Sequence, residues 1–405
     1  QWNMDIVGVD NITAELELLA GVCHFFKSVG LTAKEIAIKV NSREVLEECL
    51  TIRSSKASRD DLETLESLHL FADLLIKKAE HQKAIKFLDR ILAVRREQLG
   101  KDHKDIGGCL HSLGLAYMER GEIEEALERL TESLPIRNEC FGEESLETAA
   151  TLHILGRAYG KKGQYDKAAD ALVRALRIRK VEFGNDAFEC AQTLCSLGEV
   201  QEAMGKNQEA LNCYNEGLRV FRTEEGRKSL SVAEALRRTG QLLIKIDKPD
   251  AALRDLREAL SIHQKLKSGP QREADVLLSI GKAYAVRGKT EVALEKFKTC
   301  LEIRIEEDGE EQVSVADVLF EIGELSESQG GVQEALGCYN KSIRIYRERL
   351  GDRNVQIAKC LNKIAVINTE EGDFGEALGA CKEALAIYKE AQGSDALEVG
   401  HTQHQ

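Results

Sequence analysis

One interval governs this sequence. A small residue recurs in Leu113-Gly114, Leu155-Gly156, Leu197-Gly198, Thr239-Gly240, Ile280-Gly281, Ile322-Gly323 and Ile364-Ala365, at spacings of 42, 42, 42, 41, 42 and 42 residues. An alanine stands twelve residues after each one: Ala126, Ala168, Ala210, Ala252, Ala293, Ala335 and Ala377. Twenty residues after it stands Leu134, Leu176, Leu218, Leu260, Leu301, Ile343 or Leu385. Stepping back by 42 gives Ala72, Ala84 and Leu92, which makes eight units over residues 65–390. A unit of this length cannot bury its own apolar face, so such units stack on their neighbours.

Each unit reads as two helices. In Thr148–Lys162 the apolar residues Leu152, Leu155, Gly156 and Tyr159 fall at i, i+3, i+4 and i+7, one face of a helix. Gly163 ends that helix and Tyr165–Glu182 forms the second. A Gly or Ala on the first helix and an Ala on the second allow the two backbones to approach closely. Pro249 falls at the start of a second helix, where a missing N–H costs nothing, and Pro270 lies in the one linker shortened by a residue. Pro135 falls late in a second helix and predicts a kink there. The expected fold is mainly α: a right-handed α-solenoid of about eight helix pairs. Only 3 prolines and 5% aromatics agree with packing by small residues.

Leu110…Leu113-Gly114…Tyr117…Ala126 and Leu277…Ile280-Gly281…Tyr284…Ala293…Phe297 resemble the tetratricopeptide repeat pattern. The 42-residue period, and the linker Gln98-Leu-Gly-Lys-Asp-His103 with its looser copy at Leu350–Val355, look like the kinesin light chain type. That resemblance implies a scaffold that binds a peptide segment in a concave groove lined by first helices. In kinesin light chains the first helix carries paired asparagines facing the groove. The matching pairs here are His111-Ser112, His153-Ile154, Cys195-Ser196, Arg237-Arg238, Leu278-Ser279, Phe320-Glu321 and Asn362-Lys363. Only Asn362 keeps an amide, which puts cargo binding in the kinesin manner in doubt.

The groove positions inferred from this register are His69, Lys77, His111, Glu119, His153, Arg157 and Lys161 toward the front. Glu199, Glu202, Arg237, Gln241 and Lys245 follow in the middle. Asp275, Lys282, Asp317, Phe320, Glu324, Glu327, Asn362 and Glu370 lie toward the back. The front is mostly basic, so the expected partner is a protein or peptide with an acidic segment, held by Arg157 and Lys161. Solvated helix faces carry the same residue types, and the two readings stand side by side. His69, His111, His153 and Cys195 occupy one position in four successive units. First helices lie roughly 10 Å apart, too far for one tetrahedral metal, so no metal site is expected.

The net charge of −13 argues against non-specific nucleic-acid binding. No apolar run is long enough for a membrane helix. Eleven cysteines without a Cys-x-x-Cys pair fit a reducing, cytoplasmic compartment. No phosphate loop, His-Glu-x-x-His or Gly-x-Ser-x-Gly occurs, so no catalytic residue and no cofactor is expected.

Residues 1–50 depart from the repeat. Met4–Val9 and Glu35–Val40 read as strands, Thr13–Ser28 as a helix, and Arg43–Leu50 as the start of another. Gln1-Trp-Asn-Met-Asp-Ile-Val-Gly8, Ala14-Glu-Leu-Glu-Leu-Leu-Ala20 and Ile38-Lys-Val-Asn-Ser-Arg-Glu-Val-Leu46 resemble part of the catalytic domain of histidyl-tRNA synthetase, a class II enzyme. By that resemblance Gln1 and Asp5 correspond to amino-acid pocket residues. The arginines that grip ATP and stabilise the adenylate are missing, so no aminoacylation is expected. The expected organisation is this α/β fragment at 1–50, a linker at 51–64, the repeats at 65–390 and a tail at 391–405. Neither end reads as a natural terminus: no initiator Met opens the chain, and no capping helix closes it. The expected function is a non-catalytic scaffold; the alternative is a remnant or auxiliary of histidyl-tRNA synthetase with a repeat arm.

Overall fold

The computed structural model describes residues 62–392. The expected fragment at 1–50, with Gln1 and Asp5, lies outside them, as do most of the linker and the tail. Among the described residues sixteen helices follow one another in eight pairs. The first helices are α1 (Leu62–Lys77), α3 (Lys104–Arg120), α5 (Leu146–Lys161), α7 (Phe188–Ala203), α9 (Leu230–Lys245), α11 (Pro270–Val286), α13 (Val313–Ser328) and α15 (Val355–Glu371). The second helices are α2 (His81–Leu99), α4 (Ile123–Phe141), α6 (Tyr165–Phe183), α8 (Asn207–Glu224), α10 (Pro249–Leu266), α12 (Thr290–Asp308), α14 (Val332–Leu350) and α16 (Phe374–Gln392). They form two compact units that divide between Ile178 and Arg179.

Local chemistry sets the ends of the helices. Ser145 Oγ accepts from the Thr148 N–H and Ser229 Oγ from the Val232 N–H, both at 3.2 Å, capping the open N-termini of α5 and α9. After α4 the backbone turns at Gly142 with φ 97° and ψ 154°, a region essentially closed to side chains. In the unit with the short interval, Lys267 adopts φ 48°, and Gly269 at φ 106° then leads into Pro270. Pro249 and Pro270 are the first residues of their helices, as their missing N–H requires. Pro135 lies inside α4 on its exposed side, and the helix runs on to Phe141.

Packing within a pair follows from the small residue. A Cβ built on Gly240 would lie 2.6 Å from Leu256 Cγ, and one on Gly198 would lie 2.6 Å from Tyr214 Cε1. Gly114, Gly156, Gly281 and Gly323 meet Leu130, Leu172, Phe297 and Tyr339 in the same way. Thus the space left by each glycine is filled mainly by the large side chain four residues beyond the recurring alanine. The alanine adds backbone proximity, as at Gly156, whose Cβ would come within 3.1 Å of the Ala168 carbonyl oxygen. In the first unit Leu65, Leu88, Ile91 and Leu110 are fully buried; in the second, Tyr214, Leu256, Phe297 and Tyr339 are.

Candidate peptide-binding face

First helices touch across successive pairs: α1 with α3 and α3 with α5 in one unit, α9 with α11 and α11 with α13 in the other. Within each unit they form a layer whose polar side chains meet from helix to helix. In the first unit Arg157 on α5 pairs with Glu119 on α3 at 3.1 Å. His69 Nε2 lies 3.1 Å from Ser112 Oγ, and His111 Nδ1 lies 3.2 Å from Thr151 Oγ1. His153 is buried, with 8% of its surface exposed, so it offers little to a ligand. Lys161 and Lys77 are exposed and have no ion pair among the described residues.

The second unit repeats the arrangement with more acid. Arg238 meets Glu199 at 2.7 Å, Lys245 meets Glu202 at 3.6 Å, and Gln241 donates to Ser279 Oγ at 3.1 Å. Lys282 meets Glu321 at 2.5 Å, and Lys363 bridges Glu324 and Glu327 at 2.9 and 3.5 Å. Arg237 is held within its own helix by two hydrogen bonds to Glu234 at 2.9 and 2.6 Å. Burial pushes the Glu234 carboxyl upward, but Arg237 and Arg238 outweigh it and hold it below the usual range. Burial wins at Glu321, whose carboxyl is raised despite Lys282. Asn362 is half-buried on α15. Glu202 and Glu327 also accept from Tyr214 and Tyr339 hydroxyls, at 3.3 and 2.6 Å. Of the candidate cations, then, Arg157, Arg237, Lys245 and Lys282 each have an acidic partner, and Lys161 has none among the described residues.

The four residues of the His/Cys ladder do not converge on a common point. His69 contacts Arg95 and Ser112, and burial holds its imidazole below the usual value, Arg95 and Arg137 adding to this against Asp73. Burial also drives the Cys195 thiol up to about 12. Among the described residues no group of three His, Cys, Asp or Glu could hold a metal ion.

A set of buried arginines escaped the reading of the groove. Arg137 Nη1 donates to the Glu147 carbonyl at 2.9 Å and to Thr151 Oγ1 at 3.1 Å. Arg179 makes the same two contacts with Glu189 and Thr193, at 2.9 and 2.6 Å. Arg95 reaches the Asp105 carbonyl at 3.1 Å and Cys109 Sγ at 3.0 Å, and Arg304 reaches the Ser314 carbonyl. Each staples a second helix to the first helix that follows. Burial lowers the Arg137 guanidinium to about 10, with Glu147 opposing. The signal was present in Ile136-Arg137, Ile178-Arg179 and Ile303-Arg304, in the register of the repeat.

The profile of the tetratricopeptide repeat family matches residues 63–139, 105–180, 183–265, 272–348 and 314–390, well over half of the chain. The chain belongs to the tetratricopeptide repeat family. Among solved structures, the apo quorum sensor NprR from B. thuringiensis is similar with a TM-score of 0.68 at 14% identity, over 92% of this chain and 96% of that one. A Rap protein complexed with Competence and Sporulation Factor aligns with a TM-score of 0.55 at 15% identity, over 81% and 98%. A kinesin light chain repeat protein of Podosopora anserina aligns at 0.45 and 19% identity, over 51% and 98%. Such identities speak for the fold: this tetratricopeptide chain is an α-solenoid of helix pairs. A separate match is 54% identical over 50 residues to the chloroplastic/mitochondrial histidine–tRNA ligase of Arabidopsis thaliana, covering 12% of this chain. The chain spans a tenth of that relative's length.

Proposed function

We propose that this tetratricopeptide protein is a non-catalytic scaffold whose first-helix face binds an extended peptide segment of a partner protein. In the first unit the segment is acidic. The observation that carries this reading is the cross-helix polar layer ending in the exposed, unpaired Lys161 beside the Arg157–Glu119 pair. A half-exposed pair of that kind is worth about 0–1 kcal/mol, so an incoming carboxylate displaces Glu119 at little cost. The guanidinium then offers a two-pronged hydrogen bond. His111 lies on the neighbouring α3, and His153 lies one turn before Arg157 on α5 itself. In the second unit Arg237, Gln241, Lys245, Lys282 and Asn362 supply donors for a peptide backbone or side chain. The likeness to a Rap protein solved in complex with Competence and Sporulation Factor supports a ligand on this kind of scaffold.

The nine described cysteines are free, which supports a reducing, cytoplasmic setting. Among the described residues no helix is long and apolar enough to cross a membrane. An affinity pull-down identifies the partner, and its acidic peptide is then titrated by fluorescence anisotropy. Arg157→Ala and Lys161→Glu are expected to weaken binding about tenfold each, the 1.4 kcal/mol of one charge-assisted hydrogen bond. Undiminished affinity in both variants would sink the reading.

A second reading rests on the short ligase match: the chain derives from a histidyl-tRNA synthetase and carries the repeats as an interaction arm. Histidine- and ATP-dependent adenylate formation decides it. No turnover is expected, and robust turnover would reverse the order of the two readings.

A further inference from the structure

The eight pairs act as internal controls for one another, and only the fifth carries basic residues at both of two second-helix positions one turn apart, where the first pair has Lys86 and Asp89. Two residues after the alanine of the second helix, the pair α9–α10 carries Arg254. The other pairs carry Lys86, Glu128, Asp170, Asn212, Glu295, Gly337 and Gly379 there. Arg257 follows one turn later on the same face of α10, and both arginines are exposed.

The two arginines open onto a cleft of about 630 Å³. Lys248 from the α9–α10 turn and Arg287 from the end of α11 complete its basic lining, and Asp247 and Asp250 are its acids. Arg287 takes up Asp250 at 3.0 Å. Arg257 is held in place by the Tyr284 hydroxyl and lies 5.9 Å from the centre of that ring. Lys248 and Arg254 have no ion pair among the described residues. In a chain of net charge −13, this is a cleft with surplus positive charge and one pre-oriented guanidinium.

We propose that this cleft, on the second-helix side of the fifth pair, is a separate docking site for an acidic peptide segment of a partner protein. Arg254 and Lys248 would meet its carboxylates, and Arg257, held by the Tyr284 hydroxyl, would present its remaining N–H donors in a fixed position. The site is independent of the first-helix face, and no residue is shared between them.

The test uses the full chain and a peptide of eight glutamates bearing a central benzophenone. Photo-crosslinked adducts are mapped by mass spectrometry, in wild type, in Arg254→Glu/Arg257→Glu and in Lys161→Glu. Circular dichroism checks that each variant is folded. Expected are adducts within residues 247–257 or 284–290 that fall at least tenfold in the double variant and persist in Lys161→Glu. Adducts elsewhere alone, no adducts, or equal losses in both variants would overturn the proposal. Adducts on α3 or α5 that Lys161→Glu removes would report on the first-helix face instead, so the two readings fail separately.

Discussion

The two units solve one packing problem with different side chains. Each second helix has a slot three residues after the last framework Leu or Ile. In the first unit it holds Arg95 and Arg137, buried to 3% and 9% exposure. In the second it holds Arg179, Phe221, His263, Arg304, Tyr346 and Tyr388, all buried. Where arginine stands, it donates to a backbone carbonyl ten residues on. Where Tyr346 stands, its hydroxyl donates to Asp317 at 2.6 Å, the position at which Arg304 meets Asp275 at 2.8 Å one unit earlier. The slot therefore demands a large, flat group more than it demands a charge or a donor, since Phe221 fills it with neither. A buried guanidinium is held by a carbonyl of the next helix, although Nε of Arg95 and of Arg137 has no partner among the described residues.

The largest test of this contrast is Arg137→Ala. It removes one of the partners of the Glu147 carbonyl and of the Thr151 hydroxyl and opens a void, at a cost of about 3 kcal/mol. Tyr346→Phe removes one hydrogen bond and no volume, at about 1 kcal/mol. Urea unfolding measures both, and equal losses would erase the distinction between the units. Next comes the feature the units share. Gly114→Ala in the first and Gly240→Ala in the second should each cost about 2 kcal/mol by overpacking against Leu130 and Leu256. A cost in only one unit would mean that the pairs are not equivalent.

Smaller is the gain from relieving a left-handed residue. Lys267 sits at φ 48°, and Lys267→Gly should stabilise the second unit by about 1 kcal/mol in thermal unfolding. Smallest is a pH effect. Burial lowers the imidazoles of His69 in the first unit and of His263 in the second. Each folded state therefore binds fewer protons than the unfolded chain, so stability is full above the ordinary histidine value and falls as the pH drops through the lowered one. His69→Gln should flatten the melting-temperature profile between pH 7 and 5. An unchanged slope would show that His69 does not titrate on unfolding.

The repeat was legible because it is a packing rule written eight times. Gly156, Ala168 and Leu176 recur with their counterparts at a fixed interval, and period alone implies stacked helix pairs. Helix ends were legible where a residue type acts locally, as at Gly163 and Pro249. The polar face was only half legible. Register placed Arg157 and Lys282 on first helices, but it could not reveal that Glu119 and Glu321 on neighbouring helices reach them, since those pairs span about one repeat. The arginine staples were hidden for a different reason. Arg137 and Arg179 look like surface residues by type, and only the carbonyls of Glu147 and Glu189 make their burial affordable.

The backbone turns have a finer rhythm than the repeat. Positive-φ residues fall at Ala79, Gly100, Gly121, Gly142, Gly163, Gly184, Gly205, Gly226 and Asp247, one every 21 residues. The rhythm resumes at Gly288, Gly309, Gly330, Gly351 and Gly372. First and second helices are thus equal steps of a single ruler, and what separates them is only which face each buries. Removing 42 residues between two such marks splices like onto like and leaves a shorter chain in phase. Removing 21 splices with the same ease at the turn, yet hands every later helix to the opposite layer. Change in the length of this chain is therefore quantised in pairs.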